Sequence, residues 1–211
     1  MPIITSIAPD PRRPDYLMVD VDRGRFASLP AEAIAALNLA VGHALDARTL
    51  ARLSRLADVE AACRAGMRAL ARRAYASRDL RRKLLQRQHP AAAVDDALER
   101  LTARGLLDDA RFALQYATTR LGRGRGPARL LRDLQAQGVE RRLAEQAVQD
   151  AFQEEGVDPL LAARVAARQR AAALRDLPPE TRRRRLAAFL LRRGYGGPHL
   201  AAVVREAANS V

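Results

Sequence analysis

Arginine is the side chain through which this sequence could do most of its chemistry, and it offers anion binding rather than catalysis. The string Gly122-Arg-Gly-Arg-Gly-Pro127 places Arg123 and Arg125 on flexible backbone just before a helix that opens at Pro127. Guanidinium forks beside helix-terminal N–H groups suit a phosphate or a carboxylate. The plainer reading of the same string is a glycine-rich linker, and it is not a P-loop, because the G-x-x-x-x-G-K-[ST] pattern is absent. Further cations lie at Arg81, Arg82 and Lys83, at Arg129 and Arg132, in the run 182–185 with Arg182, Arg183 and Arg185, and at Arg192 and Arg193. If these occupy corresponding helices they form a basic stripe for phosphates, although a run of four wraps most of a helical turn and is partly just solvated.

Other residue types promise less. Asp95-Asp96 and Asp108-Asp109 are carboxylate pairs, but adjacent helical residues point about 100° apart. The second pair stands where a helix begins, so capping and the helix dipole explain it more simply than acid–base work. His43, His89 and His199 share no spacing with Cys63 or a carboxylate that would make a metal site, and no Ser/His/Asp or Cys/His set can be drawn. Phe112 and Tyr116, with Tyr75, Phe152, Phe189 and Tyr195, read as core; base stacking would need them exposed. The expectation is a protein that is not an enzyme and needs no cofactor. A nuclease hidden in a helical scaffold ranks far behind a binding protein.

The elements that hold these residues are mostly helical. In a chain of 211 residues that is 48% apolar but only 4% aromatic, cores must be built from Leu, Ala and Val. Alanine, leucine and arginine, all good helix formers, dominate. One cysteine excludes an internal disulfide framework, and no apolar run reaches the length of a membrane span. A soluble cytoplasmic protein is expected. The net charge of +13 is unevenly spread: residues 1–60 hold 7 Arg against 8 Asp and Glu, while everything beyond carries the positive excess. Such self-repulsion points to a polyanionic partner, nucleic acid above all.

Strand character is confined to the start. Ile3–Ile7 and 16–21 are β-rich, prolines 9, 11 and 14 restrict the segment between them to a turn or loop, and residues 22–25 read as a tight turn before Phe26. This predicts a small antiparallel sheet, followed by helices near 30–37 and 47–56. From about residue 58 the sequence repeats at offsets of 50 and then 56. Leu80, Leu130 and Leu186 align, as do Leu84, Leu134 and Leu190 four residues on. The following turn aligns Gln88, Gly138 and Gly194; the next helix aligns Ala97, Ala147 and Val203, then Leu98, Val148 and Val204. An i, i+4 apolar pair, a turn and a second apolar pair describe two amphipathic helices with a short connection. Each unit carries a preceding helix, over 58–75, 108–121 and 158–174. Asp108 and Asp158 suit N-caps, Ser77 a cap of the following helix, Pro90, Pro127 and Pro178-Pro179 helix starts, and Gly138 and Gly194 left-handed stops.

The fold class expected is therefore mostly α, with three tandem three-helix modules in an elongated array after a small N-terminal β-containing extension. The boundaries expected are 1–57 for the extension and 58–107, 108–156 and 157–211 for the repeats.

On these residues the chain resembles the RecX family of recombination regulators. The resemblance is carried by Gly105-Leu-Leu-Asp-Asp-Ala-Arg-Phe-Ala113, by Arg81-Arg-Lys-Leu-Leu85 before it, and by Gly126-Pro127 with Leu134-Gln-Ala-Gln-Gly-Val139 after it. The string Arg182-Arg-Arg-Arg-Leu-Ala-Ala-Phe-Leu-Leu-Arg-Arg-Gly-Tyr195 is similar to that family's C-terminal repeat, and the strand at Ile3–Ile7 with Leu37-Asn-Leu-Ala-Val-Gly42 to an extension of some members. Gln88 departs from it, since members often carry glycine there. The resemblance implies a protein, expected to be monomeric, that lies in the groove of the RecA filament on single-stranded DNA and restrains ATP hydrolysis, strand exchange and co-protease activity. Double-stranded DNA stays open as a further partner. The residues alone leave a second reading, a general DNA-coating protein acting through phosphate contacts with steep salt dependence.

Overall fold

The computed structural model describes residues 1–22 and 24–210. Its elements are β1 (Ile4–Asp10), β2 (Arg13–Val21), β3 (Gly24–Pro30), α1 (Ala31–Ala36), α2 (Ala47–Leu70), α3 (Ser77–Gln86), α4 (Ala91–Ala103), α5 (Asp109–Leu121), α6 (Pro127–Ala136), α7 (Arg141–Glu154), α8 (Pro159–Ala172), α9 (Pro179–Arg193) and α10 (Leu200–Asn209). Packing divides the chain into two compact units, residues 1–74 with 80–107 and residues 75–79 with 108–210.

In the first unit the three strands form an antiparallel sheet in the order β1-β2-β3. Ile4, Val19 and Leu29 point to one face and bury there with Ile34, Leu39, Leu45 and Leu53. The strands run further than the prolines suggested, because Pro9 and Pro14 fall inside β1 and β2 and leave only Pro11 and Arg12 for the turn. Neither proline removes a needed donor. Pro9 lies on the edge strand beside a register shift, and Pro14 precedes Tyr16, where the pairing of β2 with β3 begins. The turn expected at 22–25 includes Arg23, which lies outside the described residues.

The two helices expected at 47–56 and 58–75 are one helix, α2, of 24 residues. Nothing between Leu56 and Val59 breaks a helix, and an aspartate in mid-helix is only mildly unfavourable. The cap of α2 is Asp46, whose carboxylate accepts from the Thr49 N–H at 2.6 Å. Gly66 lets α2 approach α4, since a Cβ there would stand 2.7 Å from a Leu101 methyl. On the same helix Glu60 is buried, and it accepts from Arg13 Nη2 at 3.2 Å and Arg100 Nη1 at 2.9 Å. One carboxylate thus ties β2, α2 and α4 together.

The repeat register holds at the leucine pairs and at the turns that follow them. Leu80, Leu84, Leu130, Leu134, Leu186 and Leu190 are all fully buried, at 0% exposure. The aligned turn residues Gln88, Gly138 and Gly194 all adopt positive φ, +63°, +88° and +93°. Gln88 thus takes the left-handed conformation that glycine takes in the other two modules, at a strain on the order of 1 kcal/mol. One pairing differs: Leu98 is only half-buried, and α4 buries Ala93, Val94, Ala97 and Leu101 instead. Asp108 and Asp158 cap α5 and α8 as expected, accepting from Arg111 N and from Leu160 N. Ser77 is not a cap but the first residue of α3, and its N–H and hydroxyl both donate to Asp109, at 2.7 and 3.0 Å.

Within the second unit α5–α7 enclose one core, around Leu130, Leu134 and Phe152, and α8–α10 another, around Leu186, Leu190 and Tyr195. The two meet backbone to backbone. The Gly126 N–H donates to Arg193 O at 2.8 Å and the Ala128 N–H to Gly194 O at 3.1 Å. A Cβ at Gly194 would stand 2.3 Å from Arg129 N, and one at Gly126 would stand 2.7 Å from Gly194 C. Only glycine fits either position.

Gly194→Ala should therefore destabilise the second unit far more than Gly156→Ala, a change at φ +61° with nothing within 4 Å of the added Cβ. Urea unfolding followed by circular dichroism should show a loss of about 1–2 kcal/mol for Gly156→Ala from the left-handed backbone alone. Gly194→Ala should lose about 1–3 kcal/mol more, from backbone that cannot yield.

Candidate nucleic-acid and partner interface

The twelve cations separate into those already used by the fold and those that face solvent. Arg81 makes a two-pronged contact with Asp95, Nε to Oδ1 at 2.7 Å and Nη2 to Oδ2 at 3.1 Å. Arg82 is exposed and Lys83 half-buried, and both are engaged in interactions of their own. Arg125 is ion-paired with Asp133, and Arg129 Nε reaches the same carboxylate at 2.9 Å. Arg182 is built into the third module, donating to Ala208 O at 2.8 Å, Arg175 O at 3.1 Å and Leu177 O at 3.2 Å. Arg193 lies over the Phe189 ring, 4.9 Å from its centroid, with Nη1 3.4 Å from Gly124 O.

Five of the twelve keep their guanidinium groups outward. Arg123, Arg183, Arg185 and Arg192 are exposed, and Arg132 is exposed with, among the described residues, only its own helix's Ala128 O for a partner, at 3.3 Å. On α9 the reason is angular. Taking buried Leu186 as the inward direction, Arg182 points about 40° to one side and Arg185 about 100° away. In the repeat register Arg82 and Arg132 correspond while the third module has Ala188, and Arg129 corresponds to Arg185 while the first has Asp79. Those two positions are thus basic in a pair of modules, whereas Arg81, Lys83, Arg183 and Arg192 each stand in one module alone, and none of these cations recurs in all three.

The glycine-rich loop has a structural task. The N–H groups that would have met a phosphate at the start of α6 meet the last carbonyls of α9, so one helix's positive end is capped by another's negative end. Arg123 alone of the two loop arginines remains exposed. The aspartate pairs are also spoken for: Asp108 caps α5, Asp109 holds Ser77, Asp95 holds Arg81, and Asp96 accepts from Arg55 at 3.0 Å. Among the described residues no group of three His, Cys, Asp or Glu side chains could hold a metal. Burial pushes the Cys63 thiol pKa up, away from the reactive thiolate. Of the aromatics, Tyr75, Phe112, Phe152 and Tyr195 are buried. Tyr116 and Phe189 are half-buried beneath arginines, at 5.3 Å from Arg120 and 5.7 Å from Arg170.

Sequence reading missed the counter-ions. Asp133 lies four residues after Arg129, a spacing that is legible on a helix; its capture of Arg125 depends on where the loop folds. Glu60 left a clearer signal, standing among Val59, Ala62 and Cys63 on the inward face of α2.

Residues 62–101 match the family model described as RecX, first three-helix domain, and residues 108–148 the one described as RecX, second three-helix domain. The chain is 36% identical over 149 residues to the regulatory protein RecX of Halorhodospira halophila, an alignment covering 70% of this chain and 89% of that protein. It is 46% identical over 74 residues to the regulatory protein RecX of Acidithiobacillus ferrooxidans, covering 35% of this chain and 49% of that one. Among solved structures, a crystal structure of regulatory protein RecX superposes with a TM-score of 0.75 at 19% identity over 99% of this chain and all of the other. RecX from Lactobacillus salivarius superposes at 0.62 and 15% identity over 73% of this chain and 98% of that one. At those identities the likeness is one of fold.

Arg81 holds the Asp95 carboxyl below its usual range, chiefly through their hydrogen bond. A carboxylate depressed in the folded state adds stability above its unfolded pKa and loses it as pH falls through the folded value. In Arg81→Ala the Asp95 carboxyl carbon, followed by NMR, should titrate closer to the ordinary aspartate value, and the urea midpoint at neutral pH should barely move, because both groups are largely solvated.

Proposed function

The chain belongs to the RecX family, and from that premise we propose that it is a non-enzymatic regulator of the RecA recombinase. In this reading it binds the RecA filament on single-stranded DNA and restrains ATP hydrolysis, strand exchange and co-protease activity, and so acts in recombination, DNA repair and the SOS response. It works as a cytoplasmic monomer. No helix among the described residues is long and apolar enough to cross a membrane. The observation that carries the proposal is the relationship to curated regulatory proteins RecX, among them that of Halorhodospira halophila, which is covered over 89% of its length. The charge supports it. Residues beyond 60 carry the whole positive excess, and Arg183, Arg185 and Arg192 project from α9 into solvent.

Phosphate contacts fall to the outward cations: Arg123, Arg132, Arg183, Arg185 and Arg192, with Arg82 and Lys83 from the first module. The paired or built-in residues Arg81, Arg125, Arg129, Arg182 and Arg193 shape and orient the surface that carries them. Binding by several helical modules at once makes weak single contacts effective.

The test is an ATPase assay of RecA on single-stranded DNA, at concentrations of this protein too low to saturate bare DNA. Inhibition is expected; unchanged hydrolysis would leave only the DNA-coating reading. Replacing Arg183, Arg185 and Arg192 together by Ala should weaken inhibition and reduce the salt slope for bare single-stranded DNA by about 2, at roughly 0.7 for each phosphate no longer neutralised. Arg182→Ala should act differently, lowering thermal stability because three carbonyls lose their donor.

A further inference from the structure

We infer that the outward face of α8 is a docking surface for an acidic, amphipathic protein segment of the filament partner. The inference rests on the regulator reading above and locates its protein contact. Leu161 and Val165 stand one turn apart on α8 with 55% and 54% of their surface exposed. Ala172 continues the stripe, and Arg168 adjoins it, exposed and with no ion-pair or hydrogen-bond partner among the described residues. The inward face of the same helix, Ala163, Ala166, Ala167 and Ala171, is fully committed to the core with Leu186 and Leu190.

The second module carries a polar counterpart of this face. α5 and α8 start alike, each on a capping aspartate, Asp108 and Asp158, fifty residues apart. At that offset Leu161 and Val165 correspond to Arg111 and Gln115, which are exposed as well. One module keeps the position polar; the other places two large apolar side chains there. Exposed Leu and Val at i, i+4 are a helix-in-groove or helix-on-helix pattern.

Charge decides the occupant. α8 holds three arginines and no carboxylate. Arg164 is already taken by Glu206, at 3.1 and 3.4 Å, so Arg168 is the cation left beside the stripe. A fitting partner offers two apolar side chains and, roughly 10 Å along from the first, a carboxylate for Arg168. DNA does not fit, because phosphates give Leu161 and Val165 nothing to bury against. A second copy of this chain would set Arg168 and a net charge of +13 against their own kind.

The experiment uses the full chain with Leu161→Gln and Val165→Gln together, and separately Arg168→Gln. Three readouts are needed: affinity for a RecA filament assembled on a fluorescein-labelled oligonucleotide, affinity for the bare oligonucleotide, and sedimentation of the protein alone. The double variant should bind the filament at least tenfold more weakly and bare DNA within twofold of the parent, and Arg168→Gln should lose filament affinity severalfold. Melting curves should match the parent, since the replaced side chains are mostly solvated. Should the double variant melt early, Arg168→Gln and Leu161→Gln alone decide the matter, and full filament affinity in both overturns the inference. So do an unchanged filament affinity in the double variant, an equal loss toward bare DNA, or a parent dimer that these changes dissolve. A parent that binds bare DNA but no better when RecA is present overturns the regulator reading itself, and this inference with it.

Discussion

Each module depends on one leucine pair. Leu80 with Leu84, Leu130 with Leu134, and Leu186 with Leu190 each present two side chains from a single face of the middle helix, and none retains any exposed surface. With so few aromatics available, these six side chains close cores otherwise made largely of alanine and valine. Burial of each is worth about 1.5–3 kcal/mol relative to exposure. The pair also fixes the turn that follows. Four residues after Leu84, Leu134 and Leu190 the chain must reverse in a left-handed conformation to send the next helix back over the same face, and at Gln88 it does so without glycine. Packing therefore dictates the turn, and the turn residue adapts.

The same geometry explains what was legible. Periodic leucines and alanines made the three-module pattern readable, and Asp108, Asp158, Pro127 and Pro179 marked helix starts within a residue. What escaped were features with no local signature. The fusion of 47–56 with 58–75 escaped because no residue marks whether the chain continues there, and Asp58 sits within a helix whose start was decided at Asp46. The sheet was readable in kind but not in extent, since Pro9 and Pro14 are tolerable only because of which neighbours their strands lack.

The surface was less legible than the core. A cation's availability depends on partners brought from elsewhere in the chain: Asp95 for Arg81, Asp133 for Arg125 and Arg129, and the carbonyls of 175, 177 and 208 for Arg182. Composition could state the sum of charge but not which charges are neutralised inside the fold. Within the run 182–185 a rotation of about 100° per residue suffices to make one arginine a structural brace and the next a solvated cation.

Paired and outward charges have different energetic consequences. Asp133 and Glu60 each sit between two arginines, so the fold neutralises positive charge locally where it would otherwise be costly to enclose. The remaining arginines repel one another across solvent over a screening distance of about 8–10 Å, which spans neighbouring turns of α9 but not the whole chain. That repulsion is small per pair and is relieved by any polyanion that lies along the helix. Tightening on a phosphate backbone and stabilisation of the basic modules are then two sides of one linkage, because a ligand that binds only the folded state stabilises it. An apolar stripe such as that of Leu161 and Val165 gains nothing from this linkage. The two kinds of surface on one module thus respond differently to salt, the arginines losing reach as screening rises and the leucine and valine holding theirs.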